Sequence, residues 1–345
     1  MSLAASFDIK GWCPGGVRPM PSGDGLLVRV RPWCGAFTLD QAKGLAEIAA
    51  TLGNGHIDLT RRANLQIRGL REGDLPALHA ALDRLGLLED EAARNVMVAP
   101  LAGPEARALA VALGRAIPAD APPKFGCLVD DGPLSIVGER ADVALAVTRE
   151  GVAVRVEGAW LGVTEPEHAV AAAFGARRSL AKMKVTPVPG RRQLGRLGGF
   201  TGLAVPFGRL DAPQLHDFVA SCATAGASEI RLSPWRALYV DAAVEAPGFI
   251  VDDDDPLLRI EACPGAPACA SASVDTRADA RRLAGMGLPG TIHVSGCAKG
   301  CARSTAADLT LVGQDGRYGV VRHGTARDRA TRIVEPDALE QLLDG

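Results

Sequence analysis

Four cysteines in the last third of the chain are spaced for metal or cluster ligation. Cys263 and Cys269 have five residues between them, and Cys297 and Cys301 have three. An iron–sulfur cube needs four thiolates that converge from different directions. Loops rich in Gly, Pro and Ala let the backbone approach the inorganic sulfides, and both pairs lie in such loops. The spacing therefore favours an iron–sulfur cluster on these cysteines.

Three other interpretations of the four cysteines remain open. Structural zinc sites favour pairs roughly two to four residues apart, which the first pair does not match. Disulfides belong to oxidising compartments, and nothing in the sequence indicates one. Four buried thiols without a ligand are the simplest alternative. The remaining cysteines are scattered along the chain, and we expect them to be reduced and mostly buried; they are Cys13, Cys34, Cys127 and Cys222.

The composition indicates a folded globular protein. A chain of 345 residues is long enough for roughly two or three domains. The formal net charge of −2 gives no global attraction to nucleic acid, so we expect no nucleic-acid partner and predict local basic clusters for any anionic ligand. The N-terminus has neither a basic start nor a long apolar run, which predicts no signal peptide and no membrane anchor. We therefore expect a cytoplasmic protein.

The first quarter of the chain predicts a small α/β layer. Alternating apolar and basic residues over 26–31 predict a strand with Arg29 and Arg31 on one face. Apolar residues at helical spacing predict a helix over 39–52. The same patterns predict the next elements, which are strands over 56–60 and 64–68 and a helix over 74–85.

An internal repeat organises the whole chain. Residues 53–67 match residues 226–240 without a gap. A looser match pairs two predicted hairpins, turning at Glu150-Gly151 and at Asp315-Gly316, and each hairpin precedes a Glu-Pro helix start. The order is therefore A-B-A′-B′, and the last segment carries the four spaced cysteines. Two related halves predict a pseudo-twofold body with a ligand cleft between them.

The cysteine pattern resembles that of the sulfite and nitrite reductase superfamily, in which pairs of the same two spacings hold a 4Fe-4S cluster. In the reductases the last cysteine, here Cys301, also bridges to the iron of sirohaem. The reductases usually carry Pro-Asn between the final two cysteines, where this chain has Ala298 and Lys299. That difference, together with the Cys-Pro-Gly-Ala-Pro-Ala-Cys run, is similar to the precorrin-3B synthase branch of the superfamily. The resemblance implies a 4Fe-4S cluster on Cys263, Cys269, Cys297 and Cys301, and an additional iron centre, either non-haem iron or sirohaem.

Basic motifs extend the resemblance. Residues 60–66 resemble the superfamily motif Thr-Thr-Arg-Gln-Asn-Ile-Gln, which places Arg62 on a tetrapyrrole-binding arginine. An arginine fork binds a carboxylate through two parallel hydrogen bonds. By composition alone, these basic residues indicate a solvent-exposed face. The substrate-binding or tetrapyrrole-binding residues that the resemblance implies are Arg29, Arg31, Arg62, Arg68, Arg94, Lys124 and Lys299.

One departure from the superfamily lies in the run Pro-Lys-Phe-Gly at 123–126. The reductases have Lys-Phe-Lys at the end of this run, and Gly126 replaces their second lysine. We expect this glycine to open space. Sulfite and nitrite reduction need a tight cationic pocket, whereas a wider arginine-lined cleft suits a large polycarboxylate such as a reduced tetrapyrrole. The sequence identifies no catalytic residue.

The resemblance implies an α+β fold of the internally duplicated sulfite/nitrite reductase type, with two ferredoxin-like half-domains and two larger α/β modules. The predicted segments are an N-terminal arm (1–25), half-domain 1 (26–88), α/β module 1 (89–186), half-domain 2 (187–250) and a 4Fe-4S-binding α/β module 2 (251–345).

The activity that the resemblance implies is a monooxygenase step of aerobic cobalamin (vitamin B12) biosynthesis. In that family molecular oxygen is used to hydroxylate precorrin-3A, with formation of a γ-lactone. We expect a separate electron-donating reductase that uses NADH or NADPH, because this chain has no dinucleotide fingerprint. Two alternatives stay open. One is a sirohaem-dependent sulfite or nitrite reductase, and the other is a non-catalytic tetrapyrrole or cluster carrier.

Overall fold

The computed structural model describes residues 14–88, 95–122, 124–184 and 186–344. These residues divide into two compact units. The main unit comprises residues 14–20 and 27–251, and the carboxy-terminal unit comprises residues 21–26 and 252–344. The predicted arm at 1–25 falls partly outside the described residues, and the predicted segment boundaries stay predictions. No helix among the described residues has the length and apolar character needed to cross a membrane.

The first half of the chain alternates short strands with helices. Its strands are β1 (Met20–Ser22), β2 (Gly25–Val30), β3 (Ala36–Thr38), β4 (His56–Leu59), β5 (Leu65–Leu70), β6 (Val96–Val98), β7 (Cys127–Asp130), β8 (Val143–Thr148), β9 (Gly151–Val156) and β10 (Ala159–Thr164). Its helices are α1 (Leu39–Thr51), α2 (Leu75–Arg84), α3 (Pro104–Arg115) and α4 (Pro166–Ala173).

The second half follows a similar order. Its strands are β11 (Gly195–Leu197), β12 (Phe200–Ala204), β13 (Arg209–Asp211), β14 (Glu229–Leu232), β15 (Ala237–Val240), β16 (Ile260–Ala262), β17 (Ile292–Ser295), β18 (Ala307–Gln314), β19 (Arg317–Gly324) and β20 (Arg332–Val334). Its α-helices are α5 (Ala212–Thr224) and α6 (Thr276–Gly285), and a 3-10 helix (Pro336–Asp344) follows β20.

Two sheets exchange an edge strand. The sheet with order β1-β2-β5-β4-β13 ends in a strand from the second half of the chain, and the sheet with order β11-β12-β15-β14-β3 ends in one from the first half. Both exchanged strands pair antiparallel, β13 with β4 and β3 with β14. The exchange hydrogen-bonds each half of the chain into the sheet of the other.

Equivalent helices follow the exchanged strands. Thr38 caps α1: its hydroxyl accepts a hydrogen bond from the backbone N–H of Gln41, and its own backbone N–H donates to Oε1 of the Gln41 side chain. Asp211 caps α5 by accepting a bond from the backbone of Gln214. Each helix buries one apolar face, which includes Leu45 in α1 and Phe218 in α5. The two helices pack on each other.

The other two sheets have matching topologies. In the main unit the order is β10-β9-β8-β7-β6, with β6, β7 and β8 parallel and the remaining pairs antiparallel. In the carboxy-terminal unit the order is β16-β17-β18-β19-β20, with β16, β17 and β18 parallel. The described residues thus form four five-stranded sheets, which confirms the α+β class and the A-B-A′-B′ duplication.

The duplication extends to backbone conformation. Cys34 and Phe207 occupy equivalent places before the exchanged strands, with φ of 52° and 54°. Ala63 and Arg236 occupy equivalent turns between paired strands, with φ of 50° and 56°. Left-handed conformations are uncommon outside glycine. Their recurrence at matching positions therefore supports a common origin of the halves.

One local prediction needs correction. The first predicted hairpin turns at Arg149-Glu150 and not at Glu150-Gly151, because Thr148 pairs with Gly151 across the turn. The helix start at Glu335-Pro336 is confirmed, and the helix that follows is a 3-10 helix. The turn at Asp315-Gly316 is confirmed, since Gln314 pairs with Arg317.

Candidate functional site

The four spaced cysteines lie in the carboxy-terminal unit, at one edge of its sheet. Cys263 directly follows β16, and Cys297 follows β17 by two residues. These strands are parallel neighbours, so their carboxyl ends meet at the same edge. Cys269 and Cys301 lie in the loops that continue from the two strands. The sheet therefore brings both pairs together.

The four sulfur atoms are close enough to act on one another electrostatically. The pKa of the Cys301 thiol is raised to about 11, mainly by burial; Lys299 opposes the rise, and Cys263, Cys297 and Cys269 contribute to it. Burial also raises the pKa of Cys297, and both Cys269 and Cys263 contribute to that rise. Among the described residues, no three His, Cys, Asp or Glu side chains are placed to hold a single metal ion. A cubic cluster makes a different demand, because its thiolates bind different iron atoms.

The loops around Cys263 fit an iron–sulfur cluster. The backbone N–H of Gly296 donates to Cys263 Sγ at 3.1 Å, a contact that stabilises a thiolate. Thr276 Oγ1 donates to the carbonyl of Cys263 at 2.6 Å and anchors the loop. Gly265 has φ of 67°, and a Cβ there would lie under 3.0 Å from Thr276 Oγ1. Only glycine adopts this conformation and this packing without strain.

A segment near the N-terminus packs against the same loops. Gly23 belongs to the carboxy-terminal unit. A Cβ on Gly23 would lie well inside 3.0 Å of the backbone nitrogen of Ala270 and under 3.0 Å from the carbonyl carbon of Cys269. The two backbones are therefore in direct contact, and the segment helps to hold the loop that carries Cys269.

In the main unit, Arg62 projects from a tightly bonded turn between β4 and β5. The hydroxyl of Thr60 accepts hydrogen bonds from the backbones of Arg62 and Asn64, both at 3.2 Å. The backbone of Thr60 donates to the carbonyl of Asn64 at 2.9 Å and accepts from the N–H of Ala63 at 3.1 Å. These bonds fix the direction in which the Arg62 side chain leaves the turn.

Gly126 lies against the guanidinium of Arg62. A Cβ built on Gly126 would lie well inside 3.0 Å of Nη1 of Arg62. The expectation that this glycine opens space is therefore wrong, because the Arg62 guanidinium fills the place that a side chain would take. The residue itself is buried.

Glu139 is a carboxyl group beside the same arginines. Burial raises the pKa of Glu139, while the charges of Arg61 and Arg62 lower it. Its segment is held by Arg155, whose guanidinium donates to the carbonyl of Val137 and, at 3.0 Å, to the carbonyl of Glu139. The turn that carries Arg61 and Arg62, here called the arginine turn, is thus close to the acidic side chain of Glu139.

Other basic residues of the predicted set are placed differently. Arg31 is buried and donates to the carbonyl of Pro14 at 3.0 Å. Arg68 is buried, with Nε 3.8 Å from a carboxylate oxygen of Asp58. Arg29 is half-buried on β2, whereas Lys124 and Lys299 are exposed. Arg94 lies outside the described residues.

Sequence reasoning missed two partners of the arginine turn. Glu139 is separated from Arg62 by most of the first α/β module, so no local spacing connects them. Asn95 lies near Gly126, and its side-chain amide donates to the carbonyl of Phe125.

Comparisons with known proteins place the chain in a family. The family described as nitrite/sulfite reductase ferredoxin-like half domain matches residues 18–85. A ferredoxin–nitrite reductase of Leptolyngbya laminosa is 34% identical over 26% of this chain and 18% of that protein. A sulfite reductase [ferredoxin] 2 of Mycolicibacterium paratuberculosis is 24% identical over 86% of this chain and 72% of the relative.

The solved NirA protein of Mycobacterium tuberculosis shares the fold. It superposes with a TM-score of 0.68 at 19% identity, covering 92% of this chain and 79% of that protein. This confirms the predicted sulfite/nitrite reductase-like fold. A precorrin-3B synthase of Sinorhizobium sp is 32% identical over 97% of this chain and 87% of the relative. The chain therefore belongs to the precorrin-3B synthase family, an oxidoreductase branch of the sulfite and nitrite reductase superfamily.

Proposed function

We propose that this protein uses molecular oxygen to hydroxylate precorrin-3A, with closure of a γ-lactone by an acetate side chain, in aerobic cobalamin biosynthesis. The observation that carries this proposal is the similarity to a precorrin-3B synthase along nearly the whole chain. The convergence of the four cysteines at one sheet edge supports it, since that is the part of the chain expected to carry redox chemistry.

The four cysteines Cys263, Cys269, Cys297 and Cys301 hold a 4Fe-4S cluster in this proposal. The cluster supplies single-electron transfer when bound, and an additional iron centre, non-haem iron or sirohaem, supplies oxygen activation. The protein's own contributions are a backbone N–H directed at Cys263 Sγ and loops kept narrow by glycine. The N–H places a hydrogen bond on a sulfur that would ligate iron, and the glycines let the backbone lie close to the cluster.

Arg62 binds a carboxylate of the substrate in this proposal. Precorrin-3A carries acetate and propionate arms, and the planar guanidinium fork matches a carboxylate with two parallel hydrogen bonds. The turn that carries Arg62 is rigid, which lowers the entropy lost on binding. Arg29, Arg31, Arg68, Arg94, Lys124 and Lys299 remain predicted contributors, and the burial of Arg31 and Arg68 makes Arg62 the first to test.

Hydroxylation by oxygen needs two electrons and two protons besides the substrate, because one oxygen atom enters the product and the other leaves as water. A separate reductase using NADH or NADPH supplies the electrons in this proposal. The main chemical difference from a sulfite or nitrite reductase is therefore the electron acceptor. Those enzymes reduce a small anion and consume no oxygen.

The second candidate is a sirohaem-dependent sulfite or nitrite reductase. The shared fold and the match to the ferredoxin-like half domain favour it. A direct test supplies the anaerobically purified protein with electrons from NADPH through a ferredoxin reductase and ferredoxin, because dithionite and reduced viologens would themselves consume the oxygen. Three separate reactions then receive precorrin-3A with a limited amount of oxygen, sulfite alone, or nitrite alone. The proposal expects a product 16 mass units heavier than precorrin-3A and no sulfide or ammonia. Sulfide or ammonia formation without a hydroxylated tetrapyrrole would contradict it.

A further inference from the structure

Hydrogen bonds hold the backbone of Gly126, just as they hold the turn that carries Arg62. Its N–H donates to a carboxylate oxygen of Asp142 at 2.8 Å, and its carbonyl accepts from the backbone N–H of Asp142, also at 2.8 Å. The preceding carbonyl, that of Phe125, accepts from the side-chain amide of Asn95. The backbone of Gly126 and the turn that carries Arg62 are therefore both held in place by hydrogen bonds, so neither can shift to make room for a side chain at position 126.

The missing side chain at position 126 determines where the Arg62 guanidinium lies. A Cβ there would overlap Nη1 and would lie 3.5 Å from Cζ. The backbone of Gly126 does not adopt a positive φ, so alanine is compatible with its conformation. The glycine is thus required for space next to Arg62 and not for backbone geometry.

The charges around Arg62 explain why its position matters. Arg61 and Arg62 both act electrostatically on Glu139, so a negative side chain lies near the Arg62 guanidinium. A carboxylate that enters must align with the fork of Arg62 and avoid the carboxyl group of Glu139. A guanidinium displaced by even a small side chain at 126 would lose that alignment, because bidentate binding depends on the orientation of the fork.

We propose that Gly126 is a specificity-determining residue, which seats the Arg62 guanidinium in the orientation that clamps a carboxylate of a large polycarboxylate substrate. This inference rests on the proposed function and goes beyond it, because it assigns substrate selection to a residue with no side chain. A lysine there would occupy the seat and displace Arg62.

A double-mutant cycle tests whether Gly126 acts on substrate binding through Arg62. The variants are Gly126→Ala, Arg62→Ala and the double variant, and the probe is uroporphyrin I, a stable porphyrin with acetate and propionate arms, followed by fluorescence titration. Gly126→Ala should weaken binding about tenfold, because the fork must be re-ordered for each binding event. Arg62→Ala should weaken it at least as much. The double variant should bind no more weakly than Arg62→Ala alone.

The folding of the variants is checked separately. The atom displaced by Gly126→Ala is the end of a flexible side chain, so the melting temperature should change little. Gly73→Ala is the matched control, since nothing lies within 4 Å of a Cβ at Gly73 and its backbone has no positive φ. Arg62→Lys provides an independent test if Gly126→Ala does not fold. It keeps Gly126 and the charge but removes the fork, and it too should bind about tenfold more weakly.

Three results would overturn the inference. They are unchanged probe affinity in Gly126→Ala, an equal loss from Gly126→Ala with and without Arg62, and unchanged affinity in Arg62→Lys. Failure of the proposed function gives a different result. Wild-type protein would then bind the porphyrin with the predicted coupling, yet form no hydroxylated product from precorrin-3A.

Discussion

Arg209 and Asp58 form a two-pronged ion pair directly across the junction between β13 and β4. Nε and Nη2 of Arg209 lie 2.8 Å and 2.9 Å from the two carboxylate oxygens of Asp58. The residues come from opposite halves of the chain and are paired in register on neighbouring strands. The reciprocal junction lacks this pair, since Arg231 of β14 lies opposite Ala36 of β3. Of the two junctions between exchanged strands, the β13–β4 junction therefore has this cross-strand ion pair and the β14–β3 junction does not.

Loss of Arg209 should destabilise the protein. Asp58 is buried and accepts two hydrogen bonds from Arg209, which Arg209→Met removes. Asp58 then keeps the Nε of Arg68, 3.8 Å from its carboxylate. We expect the free energy of unfolding in urea to fall by about 3 kcal/mol. The exposed pair Arg71–Asp74 is the matched control, and Arg71→Met should cost less than about 1 kcal/mol. Equal effects of the two substitutions would show that the junction gains nothing from its ion pair.

Glu139 should make stability depend on pH. Burial raises its pKa in the folded protein above the ordinary value, although Arg61 and Arg62 oppose this effect. The folded state therefore holds the proton more tightly than the unfolded chain. The contribution of Glu139 to stability is full at low pH and declines as pH rises from the unfolded pKa of about 4.3 through the folded pKa.

The substitution Glu139→Gln removes this decline. Urea unfolding between pH 4 and pH 8, roughly spanning the titration range of a raised glutamate, should show the variant gaining stability relative to wild type as pH increases. Glu72→Gln, at an exposed carboxylate in the same unit, controls for the loss of one negative charge. A difference between Glu139→Gln and wild type that is constant with pH would contradict the prediction.

Gly313 should be needed for the packing of the cysteine loops. A Cβ there would lie under 3.0 Å from the carbonyl oxygen of Gly296, next to Cys297, and would meet the side chain of Val274. Gly313→Ala should lower the free energy of unfolding by about 1 to 3 kcal/mol and reduce iron retention. Gly285→Ala is the control in the same unit. It lies at the end of α6 with open space around it and should stabilise slightly, by about 0.5 kcal/mol.

The four spaced cysteines should determine iron content, and the scattered ones should not. Replacing Cys269 or Cys297 with Ala should remove most of the iron and acid-labile sulfide after anaerobic purification, because three thiolates hold a cubic cluster poorly. Cys222 is the control. It is buried in α5, where burial raises its pKa to about 12, so it stays a neutral thiol. Iron loss in Cys222→Ala equal to that in Cys269→Ala would exclude a specific role for the spaced set.

The sequence predicted the repeat and the cysteine set because both have local signals. Residues 53–67 and 226–240 align without gaps, and the cysteine pairs are close in sequence. The exchanged strands were missed because each has three residues, too few for a period-two pattern to emerge. The role of Gly126 was misjudged for a related reason. Its neighbour Arg62 is distant in sequence, and only the tertiary fold brings the two together.

If this protein transfers one atom of molecular oxygen to a tetrapyrrole, the oxygen atom in the product must come from O₂ and not from water. Purified protein, precorrin-3A and an electron donor are incubated under ¹⁸O₂ in unlabelled water, and the product is analysed by mass spectrometry. We expect one ¹⁸O atom in the hydroxylated product, and a product of natural mass when the label is supplied as H₂¹⁸O with ordinary oxygen. A product labelled from water, or precorrin-3A recovered unchanged while oxygen is present, would contradict it.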